Sequence, residues 1–183
     1  TMNRVRLLLC LLLILPVPLN AAEALVLVTI KPLAWLVQAL VPGVPVEVLV
    51  PDGRSPHDYQ LRPADIARIS RSGLLVRVGP GLEPWLVQVA ERLPAARQQV
   101  LLPQSLHEHA HEEFGQGEEH GINNDPHLWL DPLAMAAQAP PLAAQLKRLY
   151  PAQSVAIDAN LARFLQQLQA LDSELAATFA PVA

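Results

Sequence analysis

Four short apolar runs, separated by stretches with helical spacing, restrict this chain to few folds. The runs are ALVLVTI (Ala24–Ile30), VPVEVLV (Val44–Val50), GLLVRVG (Gly73–Gly79) and the weaker QQVLL (Gln98–Leu102). The first three are rich in β-branched residues, and all are bounded by turn formers, as expected of strands buried on both faces. Between them, KPLAWLVQAL (Lys31–Leu40, with Pro32 at a plausible first helical position), RPADIARISRS (Arg62–Ser72) and LEPWLVQVAERL (Leu82–Leu93) read as helices. This alternation predicts an α/β fold with a mostly parallel four-stranded sheet and helices on both faces. Ligands of such sheets sit in the crevice beyond the carboxyl ends of the strands. Two histidines fall there: His57, in the turn-rich PDGRSPHDYQL after the second strand, and His127, after the fourth.

From Asp131 the texture becomes helical. DPLAMAAQAPPLAAQLKRLY reads as a helix interrupted by Pro140 and Pro141, and the stretch from Pro151 to Val182 reads as one long helix. In the latter, Leu161, Phe164, Leu165, Leu168, Leu171, Leu175 and Phe179 recur at helical spacing and form a single apolar stripe, a spine against which other parts should pack.

The other end of the chain predicts export. Arg4 and Arg6 precede an unbroken apolar run from Leu7 to Leu15, which Pro16 and Pro18 close ahead of small residues at Ala21, Ala22 and Ala24. Residues 1–24 therefore read as a cleavable secretory leader, the run being too short to cross a bilayer. No membrane span is expected after its removal. Cys10, inside the leader, is the only cysteine, so a transition-metal site in the rest of the chain must use His and carboxylate ligands. The formal net charge of −4, with aromatic residues at 4%, disfavours a nucleic-acid partner.

Four segments carry a resemblance. IKPLAWLV, PHDYQLRPAD, VGPGLEPWL and DPHLWLDP follow one another in the order and approximate spacing seen in solute-binding proteins of bacterial zinc ABC transporters. The resemblance implies a Rossmann-like first lobe, a long linking helix and a second lobe, with Zn2+ held in the cleft between lobes and passed to a membrane permease in the periplasm. It also implies that His57 and His127 are first-lobe metal ligands. On that basis residues 25–130 form the metal-binding lobe and 131–183 the helical segment. The family's second lobe is missing here, so the sequence looks like the first lobe and spine of a longer protein. In related proteins an acidic residue can precede the histidine of HDY; Pro56 occupies that place and removes a carboxylate ligand. Asp58 and Asp125 are candidates to orient a ligand ring by accepting its second N–H, whereas Asp131, before Pro132, fits better as a helix cap.

HEHAHEEFGQGEEHGINN (107–124) has low hydrophobicity and no periodicity, so it reads as a loop that is disordered without metal. It lies between the fourth strand and His127. Its His107, His109, His111 and His120 are candidates for auxiliary capture of zinc, and such a loop favours zinc over manganese in this family. A solvated, functionally silent loop is the competing reading. Three other functions remain open: a manganese- or iron-type binding protein of the same family, a non-functional fragment and, less favoured, a metallohydrolase, which needs an open metal position beside a general base.

Overall fold

The computed structural model describes residues 24–102 and 125–180. Residues 1–23 of the leader, residues 103–124 with the His-rich loop, and residues 181–183 lie outside the described residues.

The strands are β1 (Val26–Val28), β2 (Val46–Val48), β3 (Leu74–Arg77) and β4 (Gln98–Val100). They form one sheet in the order β2-β1-β3-β4, with every pairing parallel, as the alternation predicts. Successive residues of the central strands serve different layers. Val26, Val28, Leu74 and Val76 enter a large cluster on one face, while Leu27 and Leu75 enter a smaller one on the other. The strand order reverses direction between β1 and β3, which is where doubly wound sheets open a crevice.

Helix α1 (Lys31–Leu40) starts with Pro32 in its first turn and buries Leu33, Leu36, Val37 and Leu40 in the large cluster. Helix α2 (Pro63–Arg71) sends Ile69 into the smaller one. The expected helix Leu82–Leu93 is instead a 3-10 turn, Pro84–Leu86, followed by the single-turn α3 (Val87–Ala90). The reason is local: Glu83 is tied back to the β3 end, and Arg92 and Leu93 close onto the carbonyls three residues earlier before Pro94 stops the chain.

Helix α4 runs unbroken from Pro132 to Leu149, with Pro140 and Pro141 inside it, so the expected interruption does not occur. Both prolines lie on the exposed face, where the carbonyls they leave unpaired can meet water. On the opposite face Ala139, Leu142, Ala143 and Leu146 are buried in the large cluster. An interior proline costs about 3 kcal/mol or more, and full burial of a leucine returns about 1.5–3 kcal/mol, so the flanking contacts hold the axis together. Asp131 caps this helix, accepting from Leu133 N at 2.8 Å and Ala134 N at 3.1 Å.

After a 3-10 turn at Pro151–Gln153 comes the long helix α5 (Ser154–Phe179). Its first half docks on the lobe. Ile157 is fully buried, Leu161, Phe164, Leu165 and Leu168 pack on the large cluster, and Asn160 Nδ2 donates to Leu40 O at 3.0 Å. Leu171, Leu175 and Phe179 continue the stripe but stand exposed. The spine is therefore half covered.

Ile157→Ala should destabilise the folded chain by about 2–5 kcal/mol. Val155→Ala, one turn face away at 85% exposure, should change stability by less than about 0.5 kcal/mol. Urea unfolding followed by circular dichroism measures both; equal effects would mean that α5 is not docked through Ile157.

Candidate metal centre

The loop between β2 and α2 carries His57 out to the carboxyl edge of the sheet. Its start is held by Lys31 Nζ on Asp52 at 2.6 Å, and the end of β2 is held to α2 by Arg68, which donates to Glu47 at 2.9 Å and to Val48 O at 2.7 Å. His127 arrives from the other side, at the start of the 3-10 turn Leu128–Leu130 that leads into α4. The fold thus brings together two residues 70 positions apart, with Nε2 of His57 and Nε2 of His127 separated by 3.2 Å. The ring centroids are 5.2 Å apart and the planes are tilted by 55°.

This distance has a chemical meaning. Two imidazole nitrogens bound to one tetrahedral zinc at about 2.0–2.1 Å lie about 3.3–3.4 Å apart. The pair as it stands is close to that bite, at a distance that an N–H···N hydrogen bond between the two rings also spans.

The two rings are supported differently. Asp125 Oδ1 lies 2.5 Å from Nδ1 of His127 and accepts its backbone N–H at 2.9 Å. The backbone N–H and the ring of His127 hold the Asp125 carboxyl below the usual carboxylate range. An ionised Asp125 keeps the proton on Nδ1 and leaves Nε2 with a free lone pair, the tautomer a metal requires. The edge of Trp129 meets the same ring at 5.2 Å. His57 has no such carboxylate. Asp58 is exposed and makes no hydrogen bond or ion pair among the described residues, so the geometry does not bring it to the ring.

Beneath the loops, the crevice between β1 and β3 is filled by the protein itself. Glu83 is fully buried, and its carboxylate accepts from the Thr29 hydroxyl, from Val78 N at 3.1 Å and from Gly79 N at 2.7 Å. Gly79 has φ +151°, and a Cβ there would stand 2.2 Å from Leu102 O, so only glycine leaves room for this turn. Sequence reasoning assigned no role to Glu83 or to Trp85; an acid between Leu82 and Pro84 reads as an ordinary helix-start residue until burial is known.

His107, His109, His111 and His120 lie outside the described residues. In the sequence, His107, Glu108 and His111 stand in the order H-E-x-x-H, a spacing found in zinc hydrolases. Among the described residues no group of three or more His, Cys, Asp or Glu is arranged around a common metal position. The described residues thus bring two nitrogens to this position.

Comparison with known proteins gives the family. Residues 26–183 match the family model described as zinc-uptake complex component A, periplasmic. A high-affinity zinc uptake system protein of Yersinia pestis, ZnuA, is 35% identical over 93% of this chain and 60% of its own length. This chain thus spans less than two thirds of that relative. A solved structure of a ZnuA deletion mutant with zinc bound is 29% identical with a TM-score of 0.65, covering 87% of this chain and 59% of that one. The periplasmic zinc-binding protein TroA of Treponema pallidum has a TM-score of 0.67 over 83% of this chain and 53% of its own, at 22% identity, a likeness of fold alone.

Glu83 supplies a pH test of the crevice. Burial pushes its carboxyl above the usual range, against the opposing pull of the hydrogen bonds from Thr29, Gly79 and Val78. A carboxyl whose pKa is raised by folding stabilises the native state below its unfolded value and loses that contribution as pH rises through the folded value. Relative to Glu83→Gln, the wild type should therefore gain stability as pH is lowered from neutral toward the ordinary carboxyl range. Paired urea unfolding curves across that interval decide the sign. A gap that narrows on acidification would mean that the three donors outweigh burial and hold the group ionised.

Proposed function

Because this chain belongs to the zinc-uptake complex component A, periplasmic, family, we propose that it captures Zn2+ in the periplasm for an ABC uptake system, with His57 and His127 as cleft ligands. The observation that carries the proposal is the 3.2 Å separation of the two Nε2 atoms, close to the bite of one tetrahedral zinc. Neutral imidazoles suit zinc better than manganese, which favours carboxylate, carbonyl and water oxygens. The reading is of a carrier rather than an enzyme because the family is described as a zinc-uptake component; the described residues offer the ion two nitrogens and leave its other positions open.

The finer parts of the reading follow from that openness. Zinc takes four ligands, so two positions are left for water or for residues beyond those described. In the family these come from a second lobe across the cleft, and closure and reopening of the two lobes would let the ion be handed to the membrane permease. The relatives' greater length leaves room for such a lobe. His107, His109, His111 and His120 serve as auxiliary capture sites that raise the local concentration of zinc near the cleft, and residues 1–24 serve as the export leader.

Titration calorimetry tests the ligand assignment. The His57→Ala, His127→Ala double variant, compared with wild type after removal of residues 107–124 from both, should lose the tighter zinc-binding step. Equal affinity in the two proteins would sink the assignment. A tighter step with Mn2+ than with Zn2+ would favour the manganese-type reading.

The same pair predicts a pH dependence. Imidazole must be deprotonated to ligate, so zinc affinity should fall as the solution is acidified from neutral. Affinity that stays flat on mild acidification would mean that carboxylates hold the ion. Asp125→Ala should weaken zinc binding by about 10–100-fold at neutral pH, because the ring loses the acceptor that fixes its tautomer.

A further inference from the structure

We infer that Trp85 is the positioning residue for His57: its indole N–H sets where that ring stands relative to His127. The inference rests on the reading of His57 as a metal ligand. It starts from an imbalance between the two rings. His127 has its own carboxylate, its own aromatic edge and a place at the start of a 3-10 turn. His57 sits on a segment without regular secondary structure, and its backbone N–H donates to Ser55 Oγ at 3.2 Å, within the same loop. That bond moves with the loop and cannot fix it.

Both flanks of His57 are instead held by one side chain. Trp85 Nε1–H donates to the carbonyl oxygen of Pro56, the residue before His57, at 2.6 Å. Pro56 has no N–H of its own, so this carbonyl is its only backbone hydrogen-bonding group. Two residues after His57, the buried Tyr59 ring meets Trp85 edge-on, with centroids 5.1 Å apart and planes at 66°. Tyr59 is itself anchored, since its hydroxyl donates to Asp65 Oδ2 at 2.9 Å and the same oxygen accepts Arg62 N at 3.0 Å. Trp85 lies in the Pro84–Leu86 turn, directly after the clamped Glu83 and before the fully buried Leu86. Position therefore passes from the sheet to Glu83, from there to Trp85, and across the indole to the two sides of His57.

The tolerance is narrow. Metal–ligand distances must fall within about 0.2 Å of their ordinary values, so a loop displacement of the order of 1 Å takes one nitrogen out of reach of an ion held by the other. Phenylalanine at position 85 keeps aromatic bulk against Tyr59 and removes the N–H. Losing an outer partner of a metal ligand typically costs 10–100-fold in affinity, on the order of the effect expected here.

A double-mutant cycle on the full 183-residue chain separates positioning from general support. Zinc affinity is measured by chelator competition at neutral pH for wild type, Trp85→Phe, His57→Ala and the combined variant. The four loop histidines are common to all, so differences report the cleft pair. The expected result is a loss of about 10–100-fold for Trp85→Phe in the wild-type background and less than about 3-fold in the His57→Ala background. Equal losses in both backgrounds would overturn the inference by making Trp85 a general support. No loss for Trp85→Phe, with a clear loss for His57→Ala, would overturn it and leave the ligand reading intact. No loss for His57→Ala would overturn both. Should Trp85→Phe fail to fold by circular dichroism, Tyr59→Phe, which removes only the hydroxyl that anchors the same loop, enters the cycle under the same criteria.

Discussion

The site depends on what occupies the crevice between β1 and β3. A doubly wound sheet opens there and presents backbone N–H groups, and many proteins use that opening for a ligand. In this chain the Glu83 carboxylate takes the N–H groups of Val78 and Gly79 and the hydroxyl of Thr29. The opening becomes part of the core, and the turn that follows Glu83 is locked to the ends of two strands. A metal position can then be built outboard, from loops that stand on a filled and rigid edge. Burying a carboxylate is costly unless its oxygens are hydrogen-bonded, and here both are.

From that edge the two rings are reached by separate routes. One passes through Trp85 to the loop carrying His57; the other passes through Asp125 and Trp129 to His127, with α4 packed in the core behind it. Neither histidine is buried, as the proposed ligand role requires. The two rings are also supported asymmetrically: His127 has its tautomer fixed by a carboxylate, whereas the His57 ring meets His127 and no carboxylate among the described residues.

Much of this was legible in the sequence because periodic burial writes itself into residue order. The runs around Val26, Val46, Leu74 and Gln98 became strands in a parallel sheet, although each strand core is only three or four residues long and the predicted runs were longer. Asp131 was readable as a cap from its place before Pro132, and Asp125 was readable as a neighbour of His127 from their spacing. The misses have physical causes. Pro140 and Pro141 argued for a break, but the rule is local, and the buried Leu142 and Leu146 hold the helix through them. The roles of Glu83 and Trp85 rest on contacts to Thr29 and Pro56, which stand 54 and 29 residues away, and no local pattern encodes such a pairing.

The placement of the tryptophans has an optical consequence. Of the three in the chain, Trp129 touches the ring of His127 and Trp85 holds the loop of His57, while Trp35 stands 68% exposed on α1. Indole emission is quenched by a protonated imidazole at van der Waals range and shifts with the polarity around the ring. The chain thus carries one intrinsic fluorophore against the ring of His127, a second on the loop that bears His57, and a third that supplies a water-exposed background. Ring protonation, loop displacement and ion capture can each be followed in the unlabelled protein through changes in tryptophan emission.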